Sequence, residues 1–121
     1  MKQGKLFLTD KIGRTLLVVP LANISSLAGE HVQPELNTVL AELEEGGAKN
    51  VVIDLERLDY FGSVMLAAMH MMWKRVREND GRMVLCGVSE LGKEVLQIAR
   101  FDTLWTICGR REEALISAAG E

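Results

Sequence analysis

Three short apolar runs constrain this chain most: Thr15–Leu21 (TLLVVPL), Val51–Leu55 (VVIDL) and Arg82–Val88 (RMVLCGV). Each is rich in β-branched residues and bounded by Gly, Asn or Asp, as expected for strands covered on both faces of a parallel sheet. Amphipathic stretches separate them. Glu30–Glu45 places Val32, Leu36, Val39, Leu40 and Leu43 on one helical stripe, with Pro34 in the first turn and Gly46-Gly47 at the end. Ser63–Glu78 is apolar almost all round in its first half and basic in its last turn, which suits the negative end of a helix dipole. Ser89 reads as the N-cap of a third helix to about Ala99, with Leu91, Val95 and Ile98 turned inward. A strand at Lys5–Thr9 is expected to form an antiparallel edge through a turn at Lys11-Ile12-Gly13. A weak strand at Leu104–Ile107 and a helix at Arg111–Ala118 close the chain. This order predicts an α/β domain with a small, mostly parallel sheet and helices packed on it, occupying 1–121 with a core at about 5–115. Val39, Leu40, Ile53, Leu55, Leu66, Val84, Leu85 and Leu96 are its expected core.

The chain has 121 residues, enough for one core without disulfides or metal. No apolar run reaches the ~18–20 residues of a bilayer span, and the start lacks a secretory pattern. The two cysteines, Cys86 and Cys108, have neither CxxC spacing nor a framework pattern, so a cytoplasmic protein with reduced thiols is expected. A net charge of −3 argues against nucleic acid as a partner.

Groups suited to catalysis are sparse. His31 and His70 stand apart from any nucleophile, Cys86 sits inside an apolar strand, and Cys108 precedes a Gly-Arg-Arg turn with no histidine near it in sequence. No closely spaced ligands suggest a metal, and no glycine pattern suggests a nucleotide cofactor. Lys74, Arg75, Arg77 and Arg82 adjoin one aromatic, Trp73, and read as a solvated helix end. The methionines of the second helix read as core filler, or as a plastic contact surface where part of the run is exposed. Asp54 and Asp59 bracket a strand end and, with Ser63, mark where an enzyme or ligand-binding domain of this class would hold its site. The unusual segment is Leu58–Leu66 (LDYFGSVML), where a strand end, an aromatic pair and a helix start meet. A hydroxyl at Ser63 is placed either to cap the helix, the favoured reading, or to accept a phosphate.

From Val51 to Trp105 the pattern resembles the STAS domain, the sulphate-transporter and anti-sigma-factor-antagonist domain. The shared features are an Asp-Leu strand end, an aromatic, a switch motif opening a long helix, the strand MVLCGVS and the segment Phe-Asp-x-Leu-Trp. The resemblance implies a non-enzymatic interaction module that binds an anti-sigma factor or serine kinase-like protein and so influences sigma-factor-dependent transcription. It implies docking through Asp59, Tyr60, Phe61, Gly62, Ser63, Val64 and Met65. The family's switch reads Asp-Ser-Ser/Thr-Gly-Leu, with the second hydroxyl phosphorylated. Here the same positions read Gly62-Ser63-Val64-Met65-Leu66, so Ser63 falls on the first serine and Val64 on the phosphorylated one.

Overall fold

The computed structural model describes residues 2–4, 6–21, 32–45 and 47–120. Six strands form one sheet in sequence order: β1 (Lys2–Gln3), β2 (Phe7–Ile12), β3 (Thr15–Pro20), β4 (Asn50–Asp54), β5 (Met83–Cys86) and β6 (Thr106–Cys108). β1/β2 and β2/β3 pair antiparallel, and β3/β4, β4/β5 and β5/β6 pair parallel. The helices are α1 (Val32–Glu44), α2 (Ser63–Glu78), α3 (Glu90–Ile98) and α4 (Arg111–Ala118).

Residues 15–20 of β3, 51–54 of β4 and all of β5 are buried, as continuous apolar runs in a doubly covered sheet require. Side-chain alternation divides these runs between two cores. Leu16, Val18, Val51, Ile53, Met83 and Leu85 face the larger core, where α1, α2 and α3 contribute Leu36, Leu43, Met65, Met69, Met72 and Leu96. Leu17, Val19, Val52, Val84 and Cys86 face a smaller core closed by Ala114 and Ala118 of α4.

Several expectations need correction. The strand expected at Lys5–Thr9 lies at Phe7–Ile12, and the sheet edge is β1; Lys5 lies outside the described residues. Lys11 and Ile12 belong to β2, and the turn is Gly13-Arg14, joining Ile12 to its partner Thr15. Gly13 has φ +62°, the positive value that a two-residue hairpin loop requires at its first position. Of the expected α1 stripe, Leu36, Val39, Leu40 and Leu43 are buried; Glu30, His31, Gly46 and the Val32 side chain lie outside the described residues.

α3 is turned about its axis from the expected phase. Leu91 and Ile98 are 47% and 84% exposed; Val95 is half-buried against the larger core as expected, and the fully buried positions are Gly92 and Leu96. Space decides this: a Cβ on Gly92 would sit 2.9 Å from the Phe61 ring, so the helix lies against that ring along its glycine side. Leu66 is half-buried at the rim of the larger core, because Met65, Ala68, Met69 and Met72 take the inward face of α2. The other seven expected core residues are buried.

Candidate functional site

The segment from β4 to α2 is held from below and presented from above. Leu58 and Phe61 are 5% and 0% exposed and anchor it in the larger core. Asp59 is fixed by its backbone: the Ser89 hydroxyl donates to the Asp59 carbonyl at 2.6 Å while accepting the Gly92 N–H at 3.0 Å. One serine therefore caps α3 and fastens the loop that opens α2. The cap is legible in the sequence; the fastening is not, because only the fold brings Ser89 and Asp59 together.

Of the seven expected docking residues, five remain accessible. Asp59, Tyr60 and Ser63 are exposed, and Gly62 and Val64 are half-buried. Phe61 and Met65 are both 0% exposed, so these two support the surface from within the core instead of forming it. Helical geometry separates them: Ser63 points outward from the first turn while Met65 points toward the sheet.

Ser63 is not the cap of α2. The N-cap residue is Gly62, in extended conformation, and no side chain caps this end. The Gly62 carbonyl accepts the Leu66 N–H at 3.1 Å, so Ser63 is the first residue of the helix. Its hydroxyl is exposed beside helix N–H groups that have no side-chain acceptor, an arrangement electrostatically suited to negative charge. Ser63 also opens a shallow apolar groove of about 490 Å³, lined further by Leu66, Ala67, His70, Met71 and Phe101. His70 stands 5.4 Å from the Trp73 ring and 5.9 Å from Phe101, and Phe101 stacks on Trp105 at 4.5 Å. This aromatic packing gives the groove a firm floor. Met71, 39% exposed, is the part of the methionine run that reaches the groove, and Phe101 joins these α2 residues only because the turn after α3 folds onto α2.

The strand-end site expected at Asp54, Asp59 and Ser63 does not assemble. Asp54 is 2% exposed; its carboxylate accepts from Arg111 Nε at 2.8 Å and from the Glu56 N–H at 3.1 Å. This hydrogen bond, with the Asp54 and Glu56 charges, raises the Arg111 pKa above its ordinary value. Asp54 lines a charged cavity of about 370 Å³ with Glu56, Gly87, Arg110 and Arg111, distinct from the groove at Ser63. Cys86 is buried, and desolvation, then the Asp54 charge, push its thiol up to about 12. Cys108 is also raised, by desolvation and then by Glu113, so the following Arg-Arg turn does not activate it. Among the described residues no cluster of three or more His, Cys, Asp or Glu forms a candidate metal site, and no helix is long and apolar enough to cross a membrane.

The STAS domain model matches residues 9–114. The chain belongs to the STAS family. A Bordetella bronchiseptica protein named anti-sigma factor antagonist BtrV is 31% identical over 105 residues, covering 87% of each chain. The structure of an anti-sigma-factor antagonist (STAS) domain protein from Planctomyces limnophilus superposes with a TM-score of 0.77 at 30% identity, covering 93% of this chain and 97% of that one. Unphosphorylated SpoIIAA, from Bacillus, shares the fold at a TM-score of 0.78 and 17% identity, covering 95% and 97%. STAS membership accounts for the mixed sheet.

Proposed function

We propose that this STAS protein is a non-enzymatic antagonist of an anti-sigma factor and acts in the cytoplasm. Its partner, a serine kinase-like anti-sigma factor, docks on Asp59, Tyr60, Gly62, Ser63 and Val64 and on the groove between Leu66 and Phe101. Docking sequesters the partner and frees a sigma factor for transcription. The observation that carries this reading is the exposed Ser63 hydroxyl, at an uncapped helix start beside an apolar groove. The BtrV similarity supports the partner class. The enzyme or ligand-binding alternative has less support, since Asp54 is committed to Arg111 and lies in a different cavity from Ser63.

Ser63 is the proposed regulatory acceptor in place of the family position, which Val64 occupies. The γ-phosphoryl group of ATP passes to Ser63 Oγ, the hydroxyl proton is lost and ADP leaves. The helix start tolerates the added charge, while a partner seated on the apolar groove must desolvate it.

Co-purification with the partner, followed by intact-mass measurement, tests both steps. Ala67→Glu places a charge in the groove and is expected to abolish co-purification at unchanged thermal stability. Ser63→Asp is expected to weaken binding about tenfold, a loss of about 1.4 kcal/mol, and Ser63→Ala to preserve it. Wild-type binding by Ala67→Glu would refute the docking surface. Wild-type binding by Ser63→Asp, or no phosphate gained by the wild-type chain, would refute the switch alone.

A further inference from the structure

A second charged feature lies at the opposite end of the strands. A basic residue immediately precedes each of three neighbouring strands: Arg14 before β3, Lys49 before β4 and Arg82 before β5. Backbone hydrogen bonds tie the three together. The Arg14 carbonyl accepts from the N–H groups of Lys49 and Asn50 at 2.7 and 3.0 Å, and the Arg82 carbonyl accepts from the Val51 N–H at 2.9 Å. The Arg82 N–H donates to Asn50 Oδ1 at 2.9 Å. All three basic residues line one cleft of about 430 Å³, in which the only carboxylate among the described lining residues is Asp80.

Helix ends explain only part of this charge. The Arg82 guanidinium donates to the Ser117 carbonyl at 3.3 Å and so serves the end of α4. Arg14 and Lys49 have no ion pair with a described carboxylate. Adjacent strands lie about 4.8 Å apart, so the backbone row spans about 10 Å. That is longer than one phosphate group and suits successive carboxylates on an extended chain.

We propose that this cleft is a second interaction surface, which takes an acidic segment of a partner protein. Carboxylates bridge Arg14 and Arg82 with Lys49 between them, and Ile12 and Ala118 supply an apolar wall. The surface is independent of the docking loop. α2 starts after the carboxyl end of β4 and runs back toward Asn79, so Ser63 and the basic cleft lie at opposite ends. One molecule is therefore built to hold a partner at each end.

Titration of the full chain with a hexaglutamate peptide, followed by amide NMR shifts, tests the proposal. Shifts are expected at Arg14, Lys49, Asn50 and Arg82, fading as salt is raised. Arg14→Glu with Lys49→Glu is expected to weaken the peptide about tenfold while leaving the melting temperature and Ser63-face binding unchanged. Arg82 is kept because it also holds α4. If the double variant fails to fold, Arg14→Gln with Lys49→Gln provides the same reading and is expected to weaken the peptide several-fold. Shifts elsewhere, no shifts, or undiminished binding by the folded variant would overturn the proposal. Inorganic phosphate shifting the same amides at equal or lower concentration would also overturn it, in favour of a small oxyanion site.

Discussion

At Ser63, hydroxyl chemistry and helix geometry point in different directions. A serine at a strand-to-helix junction reads as a cap, yet Gly62 holds the cap position and Ser63 is the first helical residue. Ser63→Ala is therefore expected to change stability by less than about 0.5 kcal/mol; a loss near the ~1 kcal/mol of a true cap, measured by urea denaturation, would contradict the assignment. Sequence could not separate the two roles, because they differ by one residue and Gly62 accepts either backbone. Cys86 is the opposite case, legible from its apolar strand alone. Its thiol is raised from 9.0 to about 12 in the fold, so it stays protonated while the unfolded chain would ionise. Its contribution is fully present below pH 9 and is lost as pH rises toward 12. Wild type should thus lose stability through this alkaline range more steeply than Cys86→Ala. Equal alkaline slopes in the two proteins would show that the thiol is solvated.

At the scale of elements, α2 and α4 have the extents expected from sequence, Ser63–Glu78 and Arg111–Ala118. α3 was legible in extent but not in phase. Its apolar residues Leu91, Val95 and Ile98 form a plausible inward stripe, and only the packed structure shows that Gly92 must take the crowded side. The Phe61 ring, Val88 and the Ser89 hydroxyl lie 2.9, 3.0 and 3.2 Å from where a Cβ would stand. Gly92→Ala gains up to about 1 kcal/mol of helix propensity but forces Phe61 or the helix to move, at about 1–3 kcal/mol. We expect net destabilisation in urea, together with weaker binding if the loop docks as proposed, because the buried Phe61 anchors that loop in the larger core. An increase in stability would mean that α3 stands farther from Phe61. The groove shares this dependence on packing. Ser63, Leu66, Ala67 and His70 follow from one helix, but Phe101 joins them only through the turn after α3.

On the scale of the whole molecule, the two faces of the sheet are held unequally. Three helices cover one face with leucine and methionine, whereas α4 covers the other with Ala114 and Ala118. Small side chains bury little apolar area, so packing holds α4 more weakly than α1 or α2. Its first residue makes good part of the difference. Arg111 reaches from α4 to the buried Asp54 carboxylate at 2.8 Å and to Glu56 at 3.6 Å, joining the C-terminal helix to the end of the central strand. Neither residue marks the other in sequence, since 57 positions separate them. Arg111→Met keeps much of the side-chain volume but leaves Asp54 with only the Glu56 N–H, an unpaired buried charge expected to cost up to about 3 kcal/mol. Much of that cost should appear as local opening. Amide exchange in α4 should accelerate well beyond that in Ile53 and Leu85, which lie in the doubly covered centre. Asp54→Asn with Arg111→Met removes the stranded charge and should recover part of the loss. Uniform acceleration across the sheet and α4 would show instead that α4 unfolds only with the rest of the domain.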